Sequence, residues 1–230
     1  MLKYNLEEIR ENMALAADKS GRSLEDITLV GVTKTIDTDS IKEACDLGVL
    51  NFGENRVQEF LPKFDKLKPE SIKWHMIGQL QTNKVKAIID KVCLIHSVDS
   101  LRLAEEISKR AAQIDINMDI LLEINIAAED TKIGIKPQEA KTLTEQVSFL
   151  SNVTVRGLMC IAPYVENPEK NRGYFDKMHR LFVDMQLINL HNVNINLLSM
   201  GMTGDYQIAI EEGANIVRIG TGLFGRRNYS

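Results

Sequence analysis

Eight short apolar runs, each followed by a stretch of helical periodicity, constrain the fold of this chain more than any other feature. The runs are Ile27–Thr33, Val49–Phe52, Lys73–Ile77, Val92–Ser97, Asp119–Asn125, Val153–Cys160, Ile195–Ser199 and Asn215–Ile219. Most lack the polar alternation of a half-exposed strand, which predicts strands buried on both faces of a parallel sheet. Only 6% of the chain is aromatic against 44% hydrophobic, so the apolar stock is mostly aliphatic, as such strands require.

The segments between the runs carry helical spacing. Helices are expected near 39–47, after Gly53-Glu54-Asn55-Arg56 to about Lys66, over Asn83–Asp90, over Tyr174–Leu190 and over Tyr206–Glu212. Leu101, Ala104, Ile107, Ala111 and Ile114 share one face of a further helix, and Pro137 suits the first turn of another. Ser40 and Glu43 form a capping-box pattern near the start of the 39–47 helix. Leu6, Ile9, Met13 and Ala16 place an amphipathic helix over 3–19, ahead of the first strand. The alternation predicts an α/β fold, a single (β/α)8 TIM barrel with an additional N-terminal helix. A doubly wound sheet has a similar local pattern, but eight strands in 230 residues favour the barrel. No Pro/Gly/Ser-rich linker divides the chain, so 1–230 is expected to be one domain, with Ala128–Lys136 and Pro163–Gly173 as loops after strands.

Charge and cysteine usage exclude several function classes. A net charge of −4 without a long run of one sign argues against duplex nucleic-acid binding. The small basic spots at Asn83–Lys86 and Arg226–Arg227 read as solvated faces. No stretch approaches the roughly 18 apolar residues of a membrane span, and the N-terminus has no apolar leader, so neither membrane insertion nor secretion is expected. Cys45, Cys93 and Cys160 form no C-x-x-C pair, which argues for a reducing, cytoplasmic setting. Cys45 falls in a helical pattern and Cys93 in a strand pattern, and both are read as core.

The chemistry begins with Lys34, at the end of the first buried run. Partial desolvation there favours a neutral, nucleophilic amine suited to a Schiff base with a carbonyl cofactor. The plain alternative is a surface lysine at a strand exit. In a barrel all strand C-termini open on one face. Lys34, Asn55, His75, Cys160, Ser199, Arg218, Gly220 and Thr221 lie at or just past strand ends, so all would approach one mouth. Leu197–Asp205 and Val217–Gly222 are strand ends opening into small residues, and the loops after strands seven and eight of barrels commonly hold phosphate. Lysine, arginine and a phosphate cradle together suggest pyridoxal 5′-phosphate (PLP). Gly220–Gly225 is a literal G-x-G-x-x-G, but no helix, second strand or acidic residue follows at the dinucleotide spacing.

Longer motifs add a resemblance. Val32–Thr35, Phe52–Arg56, Trp74–Lys84, Gly157–Met159, Leu198–Met202 and Val217–Thr221 resemble those of the pyridoxal phosphate homeostasis protein family, in order along nearly the whole chain. The resemblance implies a barrel related to the N-terminal domain of alanine racemase. It implies that Lys34 forms the Schiff base, that Ser199 and the backbone of Gly220 and Thr221 hold the phosphate, that Arg218 faces the pyridine nitrogen, and that Asn55 and Met200 line the cofactor. Thr203 and Gly204 stand where serine and another residue are common in the family. Thr35-Ile36-Asp37 lacks the second lysine or proline often found there.

Arginine cannot accept a proton from the ring nitrogen, so Arg218 would weaken carbanion stabilisation. Racemases compensate with a tyrosine from another domain. None of Tyr4, Tyr164, Tyr174, Tyr206 and Tyr229 falls in such a context, although Tyr164 follows the sixth strand and could reach the mouth. The expectation is therefore a carrier or buffer in PLP homeostasis that serves PLP-dependent apoenzymes, with little or no catalysis, as a monomer. The alternative is a weak or specialised racemase or lyase. A Cys160–His75 thiol enzyme and a His75–His96 metal site lack supporting spacing, and His75 is read as a structural hydrogen-bonding residue.

Overall fold

The computed structural model describes residues 1–67, 71–127 and 133–225. Eight parallel strands close into a barrel in sequence order. They are β1 (Thr28–Val32), β2 (Asn51–Glu54), β3 (Lys73–Met76), β4 (Leu94–Val98), β5 (Met118–Ile124), β6 (Val153–Cys160), β7 (Val193–Met202) and β8 (Ile216–Ile219). The helices among the described residues are α1 (Leu2–Lys19), α2 (Thr38–Asp46), α3 (Val57–Leu67), α4 (Val85–Ile88), α5 (Leu101–Gln113), α6 (Ala140–Val147), α7 (Arg172–Gln186), α8 (Tyr206–Glu211) and α9 (Thr221–Phe224). The pairing of β1 with β8 sets Val30 beside Arg218 and closes the ring.

Two apolar layers result from the period-two alternation of the strands. Outward residues such as Phe52, Trp74, Ile95, Ile120, Leu198 and Val217 pack against the helices in the larger core. Inward residues Val30, Leu94, Leu121, Met159 and Ile216 form a small second core inside the barrel. Helix α1 buries Leu2, Leu6, Ile9, Met13, Ala16 and Ala17, the face expected from its spacing. It is tied to the last elements of the barrel, because Asn5 Nδ2 donates to the Leu223 carbonyl at 3.0 Å. Just after it, Arg22 donates to the carbonyls of Ile210 and Ala214.

Several local expectations need correction. Asp37, not Ser40, caps α2: its carboxylate accepts from the amides of Asp39 and Ser40. A carboxylate one residue before the first turn reaches the orphan amides that Ser40, already inside the helix, cannot. Cys93 is exposed and precedes β4, because the chain joins the sheet only at Leu94. Strand β2 starts at Asn51, after Gly48 at φ 86° and the Val49 amide have closed the end of α2. Strand β7 is longer than expected, since its polar Asn194 and Asn196 stay exposed at the barrel floor. Residues 128–132 of one expected loop, the Arg226–Arg227 spot and Tyr229 lie outside the described residues.

The tightest backbone approach is at Gly157, where β6 shifts register against β7. A Cβ there would stand 1.8 Å from the Leu197 carbonyl oxygen. Gly157→Ala is expected to destabilise the protein by about 3 kcal/mol or more, because backbone must move to admit the methyl group. Urea unfolding measures this, and a parental midpoint would contradict the contact.

Candidate functional site

The inward period of each strand decides which side chains reach the C-terminal mouth. Lys34 follows Val30 and Val32 at steps of two, Asn55 follows Gly53, and Arg218 follows Ile216. A cavity of about 670 Å³ lies at that mouth, and Lys34, Asn55, Arg218, Gly220 and Thr221 all line it. Five of the seven expected site residues are thus brought together.

The other two stand differently. Ser199 is fully buried beneath the cavity, and its hydroxyl is bonded to Arg218 and His96. Met200 is one step out of phase with Ser199, so its side chain joins the core between barrel and helices. Neither Ser199 nor Met200 is among the residues that line the cavity. Sequence reasoning passed over Asn171, which lines the cavity, and reached Asp205, Thr203 and Gly204, which line it too, only as part of the Leu197–Asp205 phosphate-type loop. The signal for the last two was present as a small Thr-Gly pair directly after the seventh strand.

Lys34 is half-buried, and among the described residues its amine has no hydrogen-bond or ion-pair partner. Asn55 Oδ1 is buried without a partner among the described residues. Across the cavity the loops after β7 and β8 meet closely. Thr203 Oγ1 accepts from the Gly222 amide at 3.2 Å and lies 3.4 Å from Thr221 Oγ1. A Cβ on Gly222 would lie 3.0 Å from Thr203 Cγ2, so glycine lets the two loops touch. A Cβ on Gly204 would meet nothing within 4 Å, which leaves open space beside these hydroxyls. An unpartnered amine, a buried acceptor and two small-residue loops around open space fit a phosphorylated aldehyde.

Arg218 anchors a buried polar chain. Its Nη1 donates to Ser199 Oγ at 2.5 Å and its Nη2 to the Cys160 carbonyl at 2.8 Å. Asn51 Oδ1 can only accept, so His75 donates to it from Nε2 at 3.2 Å and accepts at Nδ1 from His96 Nε2 at 2.9 Å. His96 Nδ1 in turn accepts from the Ser199 hydroxyl, 3.0 Å away, whose oxygen accepts from Arg218. The tautomers are assigned from the Asn51 end of this network. Both rings of His75 and His96 are neutral with the proton on Nε2. The structural role expected of His75 holds, and neither of its nitrogens serves the Cys160 sulfur. Among the described residues no group of three or more His, Cys, Asp or Glu is placed to hold a metal ion.

Burial shapes the charges here. Burial, then the Lys73 charge, pulls His75 down to about 4. Burial, then His75 and Arg218, holds His96 well below the usual imidazole range. Arg218 is lowered by burial against the pull of Cys160, Glu123 and Asp205. Glu123, at the inward end of β5, is pushed up to about 7 by burial and then by Asp99, with Arg218 opposing.

These shifts give opposite pH slopes. Between pH 6.5 and about 4 the unfolded chain takes a proton that native His75 refuses, so stability falls as pH drops through that window. Between pH 4.5 and about 7 native Glu123 keeps a proton the unfolded chain has released, so that contribution is lost as pH rises. Relative to the parent, Glu123→Gln is therefore expected to gain about 1–3 kcal/mol from pH 5 to pH 8. Urea unfolding of both apoproteins across that range checks it, and a pH-independent difference would refute the assignment.

Known proteins share this arrangement. The family model described as alanine racemase, N-terminal domain, matches residues 4–228. The pyridoxal phosphate homeostasis protein of Aquifex aeolicus is 48% identical over 224 residues, 97% of each chain. That of Escherichia coli K12 is 37% identical over 234 residues, 100% of this chain and 98% of its own. The structure of PipY from Synechococcus elongatus with PLP bound is 30% identical, with a TM-score of 0.84 over 98% of this chain and 100% of that one. An alanine racemase of Clostridium difficile, at 17% identity and a TM-score of 0.68, shares the fold, and this chain spans 57% of it. The fold, the cavity and the full-length matches agree: this chain belongs to the alanine racemase N-terminal-domain family and, within it, to the pyridoxal phosphate homeostasis proteins.

Proposed function

We propose that this chain binds PLP as a Schiff base on Lys34 and acts in PLP homeostasis in the cytoplasm, as a carrier or buffer with little or no catalysis. One observation carries the reading: Lys34, Arg218 and the small-residue loops after β7 and β8 wall the same cavity. Bound PLP supplies an electrophilic aldehyde carbon and an electron-withdrawing ring. Lys34 would supply the amine that condenses with that carbon, releasing water. Thr203, Gly204, Gly220 and Thr221 would hold the phosphate through hydroxyls and backbone amides, Asn55 would line the ring, and Arg218 would serve the ring nitrogen as a donor.

The same geometry supports weak chemistry. Arg218 cannot take the ring-nitrogen proton. Tyr164, which lines the cavity, is 96% exposed and has no partner among the described residues to position it as an acid or base. Absence of one positioned acid or base costs roughly 10²–10⁴-fold in rate. We take residues 1–230 as one PLP-binding domain, monomeric, with PLP-dependent apoenzymes as recipients. A weak racemase or lyase is the second reading, favoured only by the room left in the cavity.

Absorbance and peptide mapping after borohydride test the site. The parent is expected to be yellow, with the cofactor mass fixed on the Lys34 peptide, and Lys34→Ala to lose both. Cofactor still fixed in the variant would refute Lys34. Racemisation of amino acids at the rate of a dedicated racemase would refute the carrier.

A further inference from the structure

The strand ladder ends just before Lys34, so something else must hold the turn that carries it. Strand β1 stops at Val32, and the last sheet contact is the Thr33 amide to the Gly53 carbonyl at 3.0 Å. Thr35 then adopts φ 62°. A β-branched residue in the left-handed region costs about 1–3 kcal/mol and persists only where its surroundings impose it.

The turn closes on one backbone bond of its own, from the Ile36 amide to the Thr33 carbonyl at 2.9 Å, and three side chains brace it. Glu54, fully buried at the end of β2, accepts the Thr33 hydroxyl at 2.6 Å. Lys63 donates to the Thr33 carbonyl at 2.6 Å and to the same Glu54 oxygen. Glu59 accepts the Thr35 amide at 3.1 Å. Glu59 and Lys63 are four residues apart and share one face of α3. That helix is itself fixed, because Phe60 packs edge-on against Trp74 with centroids 5.4 Å apart and tilts against Phe64 at 5.5 Å.

A buried ion pair is a poor stabilising device, since an apolar pair of similar volume often serves as well or better. An apolar pair cannot grip the hydroxyl and carbonyl of Thr33. We infer that Glu54, Lys63 and Glu59 are positioning residues that clamp the Thr33–Thr35 turn and so aim the Lys34 amine into the cavity. The inference rests on the reading of Lys34 as the reactive amine.

The test replaces the pair by apolar residues, Glu54→Leu with Lys63→Met, and reads three quantities. The urea midpoint is expected to stay near the parental value. Amide exchange of Thr35 and Ile36, whose amides bond to Glu59 and to the Thr33 carbonyl, is expected to rise about tenfold or more, with Val30 and Val32 still protected. PLP capture on Lys34 is expected to slow about tenfold, because misaimed amines lose rate steeply. Reductive methylation of Lys34 by formaldehyde and cyanoborohydride, which needs only access, should change by no more than about twofold. Parental exchange at Thr35 and Ile36 would overturn the clamp, and so would parental PLP capture. A parent that captures no PLP at Lys34 would sink the cofactor reading, while amide exchange still decides the clamp. Should the double variant not fold, Glu59→Ala alone is expected to give the exchange signature at Thr35, and its absence would overturn the clamp equally.

Discussion

Closure of the barrel through the pairing of β1 with β8 is the constraint on which the rest depends. It places Val30 beside Arg218 and Gly31 beside Ile219. Lys34 and Arg218 are separated by most of the chain, yet each sits a few residues along one of these two neighbouring strands. An open sheet with the same local elements would leave them on opposite edges. The loops after β7 and β8 reach the same mouth only because β8 returns to β1. Helix α1 reinforces this seam from outside by holding the Leu223 carbonyl through Asn5.

Below the mouth, the barrel interior divides into two levels. The lower level is the apolar group of Val30, Leu94, Leu121, Met159 and Ile216. Two residues further along β4, β5 and β8 come His96, Glu123 and Arg218, and the step from Leu197 on β7 gives Ser199. One period of the strand therefore converts a packed core into a polar layer. Such a layer is tolerable only when its members satisfy one another. The chain from Arg218 through Ser199, His96 and His75 to Asn51 does this with every bond in one direction.

How much of this was legible in the sequence follows from what each feature depends on. The eight strands, the N-terminal helix and the convergence of Lys34, Asn55, Arg218, Gly220 and Thr221 depend on apolar periodicity and strand order, and a single sequence displays both. The phase of a strand is harder to read when the residues alternate between two buried faces. Ser199 and Met200 are both fully buried, so nothing in their hydrophobicity tells which faces the barrel axis. Cys93 and Asp37 were misjudged for a different reason, because strand starts and helix caps turn on single backbone groups. The Glu54–Lys63 contact with Thr33 joins three elements, and only the folded register brings them together.

The polar layer also separates groups that titrate from groups that do not. Its two imidazoles are held neutral by burial, with His75 at about 4, so the chain that orients Arg218 is fixed at neutral pH. Glu123 differs, because its carboxyl at about 7 lies where small changes of surroundings alter its charge. Arg218 and Glu123 act on each other electrostatically. Neutralising or withdrawing the positive charge of Arg218 would raise Glu123 further. A second positive charge in the cavity would lower it. The carboxyl whose charge answers to Arg218 thus stands two residues past an apolar floor, among groups whose charge is fixed at neutral pH.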